Sequence, residues 1–153
     1  MKIKLLSVTA CLAAILTFAG FASAQKCTEN GSIKRVSKAS AGKYETVTFE
    51  VLSKDPNFEI TTARPPFSEY GSEKTLRIRG TYFKSIVFRG INWTCKIAES
   101  FSAKTANIKA VKSIEQFEGQ VEYIIGYAKK GSYVGKTATS TKRGKLIVLK
   151  FRK

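Results

Sequence analysis

The chain is 153 residues long, with 27 Lys and Arg against 11 Asp and Glu and a formal net charge of +16. It has no histidine, which excludes Ser-His-Asp and Cys-His catalysis and any metal site built on imidazole. Its three cysteines cannot make a Cys₄ zinc site, and one aspartate, Asp55, is too few for an EF-hand or an aspartic dyad.

Met1-Lys2-Ile3-Lys4 gives a short positive end, residues 5–21 are apolar and uncharged, and Ala22-Ser23-Ala24 supplies small residues for cleavage. That order predicts a secretory signal peptide over 1–24. One alternative is a membrane anchor, for which 5–21 is near the shortest useful length. Another is a lipobox, Val8-Thr9-Ala10-Cys11, which would leave only 5–10 as the apolar region, shorter than a signal peptide uses. Cleavage leaves one domain-sized chain, exported to the periplasm, cell envelope or extracellular space, with no later transmembrane segment. Export makes a Cys27–Cys95 disulfide the leading reading, two free thiols being the alternative.

Residues 25–43 are polar, with Gly31, Gly42 and several serines, and read as a loosely structured lead-in to a domain over 44–153. From Tyr44 to Leu52 the pattern alternates, with Val47, Phe49 and Val51 on one face and Thr46, Thr48 and Glu50 on the other; period two with β-branched residues predicts a half-buried strand. Lys54-Asp55-Pro56-Asn57 is a turn. A short strand over 58–62 stops at Pro65-Pro66, and 67–74 is a polar loop containing Tyr70-Gly71-Ser72. Leu76 and Ile78 point inward and Arg77 and Arg79 outward, with Gly80 as a bulge or bend. Strands follow over 82–88 and 93–97, then a small polar loop or single helical turn over 98–107, and 108–114, where Ile108, Val111 and Lys112 also fit helical spacing, leans to strand.

Phe117-Glu118-Gly119 leads into Val121, Tyr123, Ile125 and Tyr127, whose shared face predicts core packing. Phe117 is expected in the core, Gly119 at a bulge or tight approach, and Glu118 beside lysines. Turns at 129–132 and 141–144 bracket a strand over 133–139. The last run, 145–151, has little polar alternation and is expected to be buried on both faces. Close-spaced short strands with Gly-marked turns predict an all-β fold, a β-sandwich or small open barrel of about eight mostly antiparallel strands.

No catalytic residue or metal ligand stands out, and no cofactor is expected. A glycosidase-like carboxylate pair could come only from Glu115, Glu118 and Glu122. On an unbroken strand Glu118 and Glu122 would lie about 13 Å apart, beyond the spacing such enzymes use, so counter-ions for lysines are the better account. Tyr70, Tyr82, Trp93 and Tyr133 lie near loops or strand ends, where an aromatic packs in the core more often than it stacks on a ligand. Asn92-Trp93-Thr94 is a glycosylation sequon.

Nothing acidic lies beyond Glu122, whereas the remaining chain is rich in Lys and Arg. A field of this sign attracts polyanions. The candidate binding residues are Lys129, Lys130, Lys142, Arg143 and Lys145. If the last three strands form a meander, the two basic turns fall at opposite ends of the middle strand, about 30 Å apart, which suits an extended polymer better than a small anion.

Glu45-Thr46-Val47-Thr48-Phe49-Glu50-Val51, the Gly71-Ser72 loop, an alternating strand ending at Gly80, Phe117-Glu118-Gly119-Gln120-Val121 and Lys142-Arg143-Gly144-Lys145-Leu146-Ile147-Val148 occur in that order. The order resembles the AMIN-like domain of exported bacterial proteins, related to AMIN modules on cell-wall amidases and secretins, over roughly residues 44–151. Thr46-Val47-Thr48-Phe49 stands where that family has Arg-Val-Val-Phe, and its Pro-Arg and terminal Asp are missing. The resemblance implies a β-sandwich and a non-catalytic envelope-targeting role, and carries over no ligand-binding residue. The expectation is a monomeric, non-enzymatic exported domain that associates with peptidoglycan or another anionic envelope polysaccharide, or with an envelope protein, and has no specific nucleic-acid partner. A secreted protein–protein interaction module or inhibitor is the alternative.

Overall fold

A computed structural model of the chain describes residues 31–72, 74–91, 93–94, 100–102 and 106–153. Its strands are β1 (Ser32–Ala41), β2 (Tyr44–Val51), β3 (Asn57–Ala63), β4 (Phe67–Ser68), β5 (Thr75–Leu76), β6 (Tyr82–Arg89), β7 (Trp93–Thr94), β8 (Ser100–Ser102), β9 (Ile108–Phe117), β10 (Gln120–Tyr127), β11 (Tyr133–Ser140) and β12 (Lys145–Arg152). One five-stranded sheet has the order β11-β12-β2-β1-β7 and the other β3-β6-β10-β9-β8, with β4 and β5 as a separate ribbon. All pairs are antiparallel except β1 with β7. The protein is an all-β sandwich with open edges, built from ten strands in two sheets where the sequence suggested about eight, and it is not a closed barrel. The signal segment, Cys27, Cys95 and Asn92 lie outside the described residues.

The inner faces follow the period of two. Val47, Phe49 and Val51 of β2 meet Ile86 and Phe88 of β6 and Val121, Tyr123 and Ile125 of β10 in one core cluster. The Phe49 ring sits 5.1 Å from Tyr123, edge on, and 5.3 Å from Phe88. Fully burying an aromatic of this size contributes roughly 1.5–3 kcal/mol, and tilted ring pairs add to that. Tyr123 and Tyr127 are core residues, as their spacing predicts.

Several expectations need correcting. Residues 32–41 are not a loose lead-in: they form β1, which pairs along β2 from Ile33–Val51 to Ala41–Tyr44 and buries Ile33 and Val36. Lys34, Ser37, Lys38 and Ser40, which made this run look like a loop, occupy its less buried positions, while Ser32 is fully buried. β12 buries only Ile147, Leu149 and Phe151 fully; Leu146 and Val148 are half-buried and Lys150 is exposed, so its second face is only partly covered. The last three strands are not a meander, since β10 lies in one sheet and β11 and β12 in the other. Phe117 is 44% exposed and stacks on Tyr70, itself 55% exposed, at a 4.7 Å ring separation. It is the last residue of β9, and Glu118 and Gly119 form the two-residue turn to β10, with φ of 46° and 76°. Two successive positive φ values mark a type I′ hairpin turn.

The ribbon explains the alternation at Leu76 and Ile78. Phe67 and Leu76 pack with Phe83 and Ile124 on the outer face of the β10 sheet, a second small core. The chain leaving the ribbon crosses β10 at a glycine pair. A Cβ on Gly126 would lie 2.0 Å from the Arg79 carbonyl oxygen, and one on Gly80 would lie 2.7 Å from Gly126 Cα. Gly80 therefore marks a crossing point, where the two backbones touch.

Candidate polyanion-binding surface

Strand register divides the sandwich into two ends. At one end Val51 pairs with Ile33 and Lys145, and Asn57 and Gln120 both pair with Arg89. At the other, Tyr44 pairs with Ala41 and Arg152, and Tyr127 pairs with Tyr82 and Ile108. The first end holds both signs of charge. Lys34 donates to Glu50 at 2.8 Å, Arg35 lies 3.5 Å from the same carboxylate, Arg89 meets Glu59 at 3.3 Å and Lys145 meets Asp55 at 3.4 Å. Glu115 and Glu122 face each other across β9 and β10 in the same half. Each has a neutral donor, Gln120 Nε2 at 3.0 Å and Ser85 Oγ at 2.6 Å, which lets neighbouring strands carry two like charges.

The second end is basic. The Lys153 amide donates to the Lys43 carbonyl at 3.0 Å, the Arg152 amide to the Ser132 carbonyl at 2.8 Å, and the Ser132 amide to the Lys129 carbonyl at 3.3 Å. These bonds tie the β1–β2 turn, the β10–β11 connection and the end of β12 together, so Lys43, Lys129, Lys130, Arg152 and Lys153 share one pole. Lys150 Nζ lies 3.9 Å and Lys43 Nζ 6.0 Å from the Tyr44 ring centre, both within cation–π range. Among the described residues, register places one side-chain carboxylate in this half, Glu45, and it is 1% exposed.

Glu45 faces inward because it shares the parity of Val47, Phe49 and Val51. Its oxygens accept from the Ile108 amide at 2.7 Å and from the Asn107 amide at 3.2 and 3.3 Å. Asn107, fully buried, donates through Nδ2 to Ser132 Oγ at 2.9 Å and to the Arg152 carbonyl at 2.7 Å, and its Oδ1 accepts from the Ala128 and Lys129 amides at 3.0 Å each. This side chain fixes the turn that presents Lys129 and Lys130. Buried polar groups satisfied in this way hold geometry, since losing a partner strands the other group away from water. Alternation could have revealed Glu45; a lone Asn in a polar stretch gave no signal.

The five predicted residues fall into two groups. Lys129 and Lys130 sit at the basic pole. Lys142 and Arg143 lie in the β11–β12 turn at the mixed end, around a cavity of about 520 Å³ with Gly31, Leu52, Ser53, Lys54 and Asp55, and Lys145 opens β12 beside Asp55. The expected separation along β11 therefore holds although the meander does not.

Between the groups runs the flank where β3 and β11, the outer strands of the two sheets, lie side by side. Lys84 Nζ donates to Thr62 Oγ1 at 2.8 Å and lies 5.0 Å from the Tyr133 ring; Lys136 Nζ lies 4.4 Å from the Phe58 ring. Neither lysine was singled out in the sequence, because only the pairing of strands from different sheets brings them to one line. Beneath them Tyr82, Tyr127, Phe151 and Tyr133 form a run of ring contacts. Burial raises the Tyr127 phenol above its ordinary pKa, with Tyr82 adding to the shift, and burial also raises Tyr133.

Among the described residues no helix is long and apolar enough to cross a membrane, and no group of His, Cys, Asp and Glu could hold a metal ion. Compared with known protein families, curated proteins and solved structures, the chain shows no match.

Proposed function

We propose that the protein is a non-catalytic exported domain that associates with anionic cell-envelope polymers, peptidoglycan or another wall polysaccharide, through distributed Lys and Arg contacts. The observation that supports this reading best is the segregation of charge. Among the described residues, Lys34, Arg35, Arg89 and Lys145 of the mixed end meet carboxylates, while the half that holds Lys43, Lys129, Lys130, Arg152 and Lys153 has one side-chain carboxylate, Glu45, which is buried. Surface cations grouped on one end concentrate positive potential there, which attracts polyanions and speeds encounter. The signal-like leader and the AMIN-like order of sequence pieces point the same way.

Co-sedimentation with purified anionic wall polymer across a salt series tests it. Binding should be strong at low salt and fall away as ionic strength passes physiological values, where the screening length is about 8 Å. Absent or salt-insensitive binding would remove the reading. The exposed Tyr70–Phe117 stack favours the second reading, a protein-interaction module or inhibitor; recovery of one stoichiometric protein partner that withstands high salt would establish that instead.

A further inference from the structure

Resting on the polyanion reading, we infer that an extended, linear polyanion runs along the β3–β11 flank, from the Lys129–Lys130 turn to the Lys142–Arg143 turn. β11 joins those turns, and its eight residues at roughly 3.3 Å each put them about 30 Å apart once the turns are included. Two isolated basic turns at that distance would act independently on a short ligand. They are not isolated, because Lys84 and Lys136 project into the interval between them, from β6 and β11. The order along the flank is Lys129–Lys130, then Lys84 with Thr62 and Tyr133, then Lys136 with Phe58, then Lys142 and Arg143.

The chemistry of this line suits a polymer with repeated anionic groups. Ammonium groups held over aromatic rings keep their charge at the surface while their stems lose freedom before any ligand arrives, so less entropy is lost on binding. The Thr62 hydroxyl and the half-buried Tyr133 and Phe58 rings seat the Lys84 and Lys136 ammonium groups along the line. Glu59 on β3 and Asp55 just before it are engaged by Arg89 and Lys145. The open edge of β11 could instead receive a peptide strand. Cations at both turns and in the middle favour a ligand whose charge repeats along its whole length.

The test is binding of the full protein to inorganic polyphosphate fractions whose extended lengths lie below, near and above 30 Å, at fixed phosphate-unit concentration and low salt. Affinity per chain should rise by about a hundredfold or more as the length passes the span, because the second turn is then reached within the same complex, and level off beyond it. In Lys84→Ser/Lys136→Ser the step should shrink at least several-fold, with an unchanged melting temperature showing that the sandwich is intact. The wild-type length profile needs no variant, so the inference stays falsifiable if the double variant folds poorly. Salt-sensitive binding without a length step would overturn the flank path and leave the polyanion reading standing. No binding at any length would overturn both. Tighter binding of an acidic β-strand peptide than of polyphosphate of equal charge would overturn the polymer in favour of strand addition.

Discussion

The two ends of the sandwich use charge in opposite ways. At the mixed end, carboxylates and cations meet at or near the surface, as in the part-buried Lys34–Glu50 pair and the exposed Arg89–Glu59 pair. At the basic pole the carboxylate of Glu45 is inside, satisfied by backbone amides next to Asn107, and the cations are outside without it. Surface pairs of the first kind contribute little to stability, commonly under 1 kcal/mol. The buried network of the second kind is a structural joint. The comparison separates residues that hold the fold from residues whose charge is left available to a ligand.

Breaking the joint should produce the largest effect. Asn107→Ala removes the acceptor for two amides and leaves Ser132 without its buried partner. It should lower unfolding free energy by about 3 kcal/mol, read by urea denaturation, and loosen the turn carrying Lys129 and Lys130. Glu59→Gln at the mixed end should cost under about 1 kcal/mol in the same measurement. Similar losses for both would erase the distinction between the ends.

A smaller effect should appear with pH. Tyr127 and Tyr133 hold their protons more tightly in the folded chain than in the unfolded one. Their contribution is complete below the unfolded value of about 10 and is lost as pH rises through the raised folded values. The melting temperature should therefore fall as pH rises above 10, and less steeply in Tyr127→Phe/Tyr133→Phe. Equal slopes in both proteins would show that these phenols do not couple folding to pH.

Alternation carried much of the fold. Val47, Phe49 and Val51, and Val121 through Tyr127, announced their buried faces because period two leaves no other consistent placement. β1 was hidden because Ser, Lys and Ala are neutral to poor signals for a strand. They become one here by pairing with β2, which is a tertiary effect. Phe117 misled because its apolar character matched the following run, whereas the φ > 0 turn at Glu118-Gly119 ends the strand before it can turn inward. The two basic turns were legible as residue clusters, and their separation followed from strand length. The flank between them was not, since Lys84 and Lys136 come from strands of different sheets, and no local pattern reports which strands share a sandwich edge.

The central claim is that charge location, and not net charge alone, directs the protein to its polymer. Two double variants with the same change in net charge test it: Lys129→Gln/Lys130→Gln at the basic pole and Lys34→Gln/Arg35→Gln at the mixed end, where both cations already face Glu50. Affinity for anionic wall polymer, measured at one low salt concentration, should fall about tenfold in the first, corresponding to roughly 0.7 kcal/mol for each lost contact, and change less than twofold in the second. Equal losses in the two variants would contradict the account.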